Sequence, residues 1–262
     1  MPNTPLYSLI FVNYGSARYL AEAIQSIQHT EDLSRSELIV VNNDPNEYSV
    51  IHALSRIFGF IVIESGQNGG FGKGANLGAA AAQGHIIGFI NPDILWTGRS
   101  LDSILSLLSD QTIGVAGISL VDSNGQQESF SFGDELTFSR LIKNNLFPIA
   151  SRKNTSETIT TDWVSGGALF MRKDDFSNIG GFDERFFLYF EDMDLCKRMR
   201  AFGKSIRLSF KTSITHRGGK SHPSHASQKR YFFESQETYM RKYRPKKEIF
   251  ALRLLRLLRY GF

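Results

Sequence analysis

With a single cysteine, Cys196, the 262-residue chain can form no internal disulfide, and a reducing compartment is compatible with it. Long apolar runs are missing too: Leu6–Val12 is far too short to cross a bilayer. The opening residues lack the basic stretch and apolar core of a secretion signal, so none is expected. Excess positive charge is confined to one end. Arg241–Phe262 holds eight Lys or Arg against one Glu, a local +7 in a chain of net +4, so the preceding residues carry −3. A mildly acidic body argues against a nucleic-acid groove, and no nucleic-acid partner is expected. No segment repeats, and no shift in composition is sharp enough to divide two domains. What is there, 41% hydrophobic and 21% charged residues, is the make-up of an ordinary globular protein.

Short apolar runs alternate with amphipathic ones. Ser8–Asn13, Glu37–Val41, Phe60–Glu64 and Ile86–Ile90 read as strands, with helices over Ala17–His29, Tyr48–Phe58 and Ala75–Gln83 between them. That alternation predicts an α/β fold on one mostly parallel sheet flanked by helices. Ligands bind beyond the C-terminal ends of the strands in such sheets. The polar clusters Asn13–Tyr14, Asn42–Asp44, Asn68–Gly74 and Asn91–Asp93 all fall there. Further on, Leu101–Leu108 is predicted as helix, Gly114–Leu120 as strand and Asp122–Gly133 as a hairpin or loop. Asp134–Asn145 is predicted helical, Ala150–Thr160 a polar mobile segment, Ser205–Ser209 a strand and Gln228–Tyr243 a helix.

The densest chemistry lies between Thr161 and Arg200. Leu195, Cys196, Met199 and Phe202 recur at helical spacing, so a helix should open near Glu191. Asp192 falls on their inward face, whereas Asp194 points elsewhere. A carboxylate at the buried edge of a cleft is a candidate general base, because desolvation lifts its pKa toward working pH. Glu191 and Asp194 equally suit the positive end of a helix. Asn91–Pro92–Asp93 leaves an isolated carboxylate at the end of a buried strand. With diphosphate oxygens Asp93 would make a site for Mg²⁺, and His216 would add a ligand for Mn²⁺. A lone Asp after Asn-Pro also starts turns, so the triplet alone decides little.

Gly70-x-Gly72-x-Gly74, opening a helix, could cradle phosphate. It fails as a dinucleotide fingerprint, with Leu77 where Gly or Ala is needed, and as a Walker loop, because Gly74 follows Lys73. No G-x-S-x-G elbow occurs, and Cys196, at an apolar helical position, reads as core.

The ordered series VNYGS, IVVNND, NGGFGKGANLG, FINPD, WVSGGALFMRK, GGFDERFFLYFEDMDLCKR and THRGGKS resembles glycosyltransferase family 2, most like its bacterial rhamnosyltransferase-like branch, which builds surface polysaccharides. The resemblance covers roughly residues 6 to 243. It implies a GT-A fold over residues 1–243, with 244–262 as a basic amphipathic helix. Asn13, Asn42 and Asn43 match positions that hold the base and ribose of the donor; Asn68, Gly72 and Asn76 match the loop near the nucleotide. Asp93 matches the last acid of the metal-binding Asp-x-Asp motif, and His216 a position that can bind the metal. Asp192 matches the catalytic base and Glu191 its partner, while Trp163, Gly166 and Gly167 line the acceptor side. Asn42 stands where many relatives carry Asp, and Asn91, on the donor side, replaces the first acid of the metal motif, which implies weaker metal binding.

The expected reaction is an inverting displacement. Asp192 deprotonates an acceptor hydroxyl as it attacks the anomeric carbon of a nucleoside-diphosphate sugar, with Mg²⁺ or Mn²⁺ on the leaving diphosphate. By resemblance the donor is dTDP-L-rhamnose, with UDP-linked sugars open. A non-catalytic scaffold and a sugar-phosphate nucleotidyltransferase are the rivals; intact Asp93 and Asp192 oppose the first, and NYGSAR is a poor basic loop for the second.

As a helix, Lys246–Phe262 sets Phe250, Leu254, Leu257 and Leu258 against Arg253, Arg256 and Arg259, with Leu252 breaking the pattern. It suits an anionic membrane surface, a lipid-linked acceptor and a peripheral site on the cytoplasmic face of the plasma membrane. Docking on its own domain or on a partner is the competing expectation.

Overall fold

A computed structural model describes residues 4–128, 130–140, 156–217 and 225–260. The first alternations fold as their periodicity requires. Strands β1 (Tyr7–Asn13), β2 (Ser36–Asn42), β3 (Ile61–Glu64) and β4 (Ile86–Ile90) pair in parallel in the order β3-β2-β1-β4. Helices α1 (Ala17–Thr30), α2 (Tyr48–Phe58) and α3 (Phe71–Ala81) make the crossovers. β1 is buried along its whole length, as a central strand covered on both faces must be.

Beyond β4 the sheet is mixed. β5 (Ile94–Trp96), helix α4 (Leu101–Ser109) and β6 (Ile113–Val121) follow in sequence, then a ribbon of β7 (Phe132–Gly133) with β9 (Trp163–Val164). β10 (Ala168–Arg172) inserts antiparallel between β4 and β6. The long β11 (Ser205–His216) lies parallel to β6, antiparallel to β5 at the sheet edge and antiparallel to β8 (Thr158–Thr161). Helices α5 (Lys173–Asn178), α6 (Glu191–Ala201), α7 (His225–Tyr243) and α8 (Lys246–Tyr260) complete the described chain.

Three apolar clusters hold these layers. Leu20, Ile24 and Ile27 of α1 and Ile104 of α4 cover one side with Leu9, Phe11 and Phe170 of the sheet. On the other, Ala75 and Ala79 of α3 and Leu195, Cys196 and Met199 of α6 meet Ile10 and Val12. Cys196 is core, as expected, and burial pushes its thiol up to about 12. The third cluster joins Phe186 and Phe190 to Tyr239, Met240 and Leu252 of the last two helices.

Several boundaries differ from expectation. α3 begins at Phe71, so Gly72 and Gly74 are helical and not loop. Its glycines allow the helix to lie close on the sheet: a Cβ at Gly78 would stand 2.4 Å from Ile10 Cγ2. Thr158–Thr161, inside the segment expected to be mobile, is strand β8, because β11 offers it an edge; residues 150–155 lie outside the described ones. Of the helix expected over Asp134–Asn145, 134–137 are not helical and 138–140 are, while 141–145 lie outside the described residues. β11 runs seven residues past the expected end, to His216; 218–224 lie outside the described residues.

The tail helix is turned differently from its sequence wheel. Leu252 and Arg256 are buried against α7, with the Arg256 guanidinium 4.8 Å from the Phe233 ring. Arg253 pairs with Glu237. The face left to solvent is Phe250, Leu254 and Leu257, which are 71%, 49% and 55% exposed.

Candidate active site

Sheet register brings the first charged pair together. Asp93 ends the turn between β4 and β5, and His216 ends β11, opposite Ile94 of β5. The N–H of Arg217 donates to the Asp93 carbonyl at 3.0 Å, locking the two strand ends. The imidazole Nε2 of His216 then lies 3.2 Å from Asp93 Oδ1, and its Nδ1 lies 2.9 Å from both carboxylate oxygens of Glu128. Burial opposes charging the ring, but the two carboxylates outweigh it and raise His216 from 6.5 to about 10.

The donor set fits a hard divalent cation. Two neighbouring ligands of an octahedral ion bound at about 2.1 Å stand roughly 3 Å apart, which is close to the observed spacing of Asp93 and His216. Among the described residues no group of three or more His, Cys, Asp or Glu forms a complete cage. Asp93 and His216 would therefore be the protein ligands, leaving other positions for phosphate oxygens and water.

These residues line a cavity of about 210 Å³ at the carboxyl ends of β1, β2 and β4. Asn43, Asn68 and Asn91 share its wall. Asn43 Nδ2 donates to the Gly70 carbonyl at 3.0 Å, while its Oδ1 is buried without a hydrogen-bond partner. Asn68 Oδ1 accepts from Gly70 N–H at 3.0 Å and so shapes the glycine turn. Gly70 has φ +87°, and a Cβ there would stand 2.2 Å from the Phe187 carbonyl oxygen.

Other residues expected on the donor side are turned to protein partners. Asn13 donates to Asn42 Oδ1 at 3.1 Å and to Glu47 at 2.8 Å, and Asn42 donates to Glu64 at 3.0 Å. The pair ties together the ends of β1, β2 and β3. Asn76 clamps the turn before Arg185, donating to the Phe182 carbonyl at 3.0 Å and accepting its N–H at 2.9 Å. Gly72 lets α3 approach Phe182, whose Cβ would be 3.2 Å from an added methyl.

The acid pair opens α6. Asp192 Oδ2 accepts the Gly166 N–H at 3.0 Å and Oδ1 accepts the Met193 N–H at 2.7 Å. Gly166 and Gly167 connect this carboxylate to the Asn91–Asp93 turn, since the Gly167 carbonyl accepts from Asn91 N–H at 3.0 Å. Burial raises the Asp192 pKa, and the two backbone donors only partly offset it. Glu191 is 5% exposed, with Oε2 lacking a partner; burial first, and then the charge of Asp192, hold its pKa well above the ordinary 4.5. Trp163 does not reach the cavity: its indole donates to the Asp134 carbonyl at 3.2 Å and packs in the core.

Asp194 corrects the expectation that it points away. It is fully buried, bound by Arg198 at 2.8 Å, Lys242 at 2.6 Å and the Tyr243 hydroxyl at 2.7 Å. It anchors α6 to α7.

Sequence reasoning passed over four side chains here. Phe187, Tyr189 and Tyr231 form an aromatic wall of the cavity, with the Phe187 and Tyr231 rings 4.7 Å apart. Tyr189 also relates the two acid centres: burial raises its pKa, and the charges of Glu191 and Asp93 both add to the shift. Tyr189 and Phe190 have φ of 71° and 68°, two consecutive left-handed residues without glycine. Each costs about 1–3 kcal/mol and persists only where the surroundings enforce it. Here Phe190 is held in the third cluster, and Ser235 of α7 donates to the Leu188 carbonyl at 2.7 Å. The fourth is Glu128, behind His216.

A cavity at the strand ends of this mixed sheet, walled by Asp93, His216 and three asparagines, with Asp192 tied to the Gly166 N–H nearby in the fold, is the layout of a glycosyltransferase of the GT-A kind. The family profile "Glycosyl transferase family 2" matches residues 8–180, and the chain belongs to that family. A second profile, "N-terminal domain of galactosyltransferase", matches 151–217. The chain is 23% identical over 214 residues to rhamnosyltransferase WbbL of Escherichia coli K12, covering 77% of this chain and 79% of that protein. It is 26% identical over 223 residues to an N-acetylglucosaminyl-diphospho-decaprenol L-rhamnosyltransferase of Mycobacterium tuberculosis, covering 76% and 72%. The protein is a glycosyltransferase of the rhamnosyltransferase-like branch.

Solved structures share the fold. GalNAc-T7 with UDP, GalNAc and Mn²⁺ superposes with a TM-score of 0.66 at 15% identity, over 83% of this chain and 45% of that one. The mannosyltransferase PcManGT of Pyrobaculum calidifontis, with GDP-Man and Mn²⁺, gives 0.61 at 17%, over 86% and 60%.

Proposed function

We propose that the chain is an inverting, metal-dependent transferase that moves L-rhamnose from dTDP-rhamnose onto a hydroxyl of a glycan or lipid-linked oligosaccharide during surface-polysaccharide synthesis. The observation that carries this is Tyr189, which shares the cavity wall with Asp93 and His216 and feels the charges of both Glu191 and Asp93. The relatives named as rhamnosyltransferases support the sugar, and the one acting on a diphospho-decaprenol supports a lipid-linked acceptor. UDP-sugars are the second reading, favoured by the UDP held in a structure of the same fold.

In this reading Asp192 is the base. Its carboxylate takes the proton of the acceptor hydroxyl while that oxygen bonds to the anomeric carbon from one face. The bond to the diphosphate oxygen breaks on the other face, and the diphosphate departs with the electron pair. Gly166 N–H keeps the carboxylate aimed, and burial raises its pKa above the ordinary value, which makes it a stronger base. Asp93 and His216 would hold a divalent cation, Mg²⁺ or Mn²⁺, which when bound neutralises charge on the diphosphate. Asn43 Oδ1, Asn68 and Asn91 face the donor from the cavity wall.

Residues 1–243 act as the transferase domain and 244–262 as an appended helix. The outward stripe of Phe250, Leu254 and Leu257, beside the exposed Lys246, Lys247 and Arg253, supports docking on an anionic membrane at its cytoplasmic face. Among the described residues no helix is long and apolar enough to cross a membrane. A panel of nucleotide sugars in thermal shift, with and without Mn²⁺, followed by assay of released nucleoside diphosphate and product anomer, tests the reading. Release of pyrophosphate, or retention at the anomeric carbon, would overturn it.

A further inference from the structure

The reading of Asp93 and His216 as cation ligands leaves Glu128 without a role, and we propose that Glu128 is the positioning residue of that site. It fixes the His216 ring so that Nε2, and not Nδ1, faces Asp93 and the cation. Imidazole has two nitrogens, and whichever one is held by a hydrogen bond decides how the other is presented. Both oxygens of Glu128 sit 2.9 Å from Nδ1, a position they can hold only if Nδ1 carries the hydrogen. Nε2 is then left directed at Asp93 Oδ1, 3.2 Å away.

An orienting group must itself be fixed, and Glu128 is. Its N–H donates to the Leu120 carbonyl at 3.0 Å, and its own carbonyl accepts from the Ser131 hydroxyl at 2.8 Å. Gln127 fills the hairpin beside it, accepting from Ser119 at 2.7 Å and donating to the Leu120 carbonyl and to Ser131 at 2.8 Å. Ser119, Leu120 and Val121 pair in register with Ser213, Ile214 and Thr215 of β11, the strand that ends in His216. The imidazole thus ends β11, the carboxylate lies on a turn hydrogen-bonded back to the neighbouring β6, and their relative position is set by backbone.

The same hairpin reaches the acid pair. The Ser131 carbonyl accepts from Ser165 N–H at 2.8 Å, and the next residue, Gly166, holds Asp192. One short segment therefore steadies the cation side and the base side together.

The test is Mn²⁺ binding by the full chain in the presence of UDP, followed by electron paramagnetic resonance, for wild type, Glu128→Gln and Glu128→Ala. Loss of a partner behind a ligating histidine costs about 10–100-fold in metal affinity. Glu128→Ala should weaken Mn²⁺ by that amount and reduce the imidazole-nitrogen modulation of the electron spin echo. Glu128→Gln should lose less, because its amide oxygen still accepts the Nδ1 hydrogen. The melting temperature without metal should be unchanged in the Gln variant, which carries the test if the Ala variant fails to fold. Affinity and nitrogen modulation unchanged from wild type in both variants would overturn the role of Glu128 alone. Absence of Mn²⁺ binding in wild type would overturn the cation site, and this role with it.

Discussion

The backbone N–H of Gly166 donates to the carboxylate of Asp192 at 3.0 Å, so the proposed base is aimed by a residue that can offer nothing but backbone. An Asn at position 192 keeps that acceptor and the same shape. Asp192→Asn should therefore keep its fold and nucleotide affinity while turnover falls a hundredfold or more, the scale of general-base catalysis. Calorimetry with the nucleotide and a product assay separate the two, and near-native turnover would remove Asp192 from the chemistry.

Glu191 and Asp192 titrate as a pair, each raised by burial and Glu191 further by its neighbour. For a carboxyl whose folded pKa lies above its unfolded one, the stability contribution is complete below about 4.5 and is lost as pH rises through the raised value. Glu191→Gln removes that loss. The variant should be more stable than wild type near pH 8 and show no such gain near pH 4, in urea unfolding at the two pH values. An equal difference at both would contradict the shift. Turnover of the wild type should climb with pH through a midpoint above the ordinary carboxylate range.

Gly70 meets the Phe187 carbonyl where any Cβ would collide, and its φ of +87° disfavours other residues besides. Gly70→Ala should cost about 2–3 kcal/mol in denaturant unfolding, from strain and from separation of the two loops. A loss below about 0.5 kcal/mol would mean that the loops part freely.

Phe250, Leu254 and Leu257 face solvent, so replacing all three with Ser should change unfolding by no more than about 0.5 kcal/mol each. Sedimentation with vesicles containing anionic lipid should be lost. Unchanged co-sedimentation would remove the membrane role of this face.

Strand ends were the legible part. Asn43 and Asp93 could be found because polar residues that terminate apolar runs announce the ligand edge of the sheet, and the acid pair because Leu195, Cys196 and Met199 mark the helix that it opens. Sequence could not separate Asn43, which faces the cavity, from Asn13 and Asn76, whose amides satisfy neighbouring backbone and side chains. Glu128 was invisible because it meets His216 across 88 residues through the register of β6 and β11. Tyr189 and Phe190 escaped because left-handed backbone is usually signalled by glycine, and here neighbouring packing enforces it instead. Leu252 was misjudged because a helical wheel shows two stripes without saying which one meets the rest of the chain.

The left-handed pair before Glu191 has a consequence for the order in which the parts of the fold can be set. Its restraints, Ser235, Tyr239, Met240 and Leu252, come from α7 and α8, which follow it in the chain. Until those helices dock, nothing on α7 or α8 enforces the bend that leads into Glu191 and Asp192. Setting of the bend is thereby coupled to the docking of α7 and α8, and α8, while Leu252 holds it there, keeps Phe250, Leu254 and Leu257 turned to solvent.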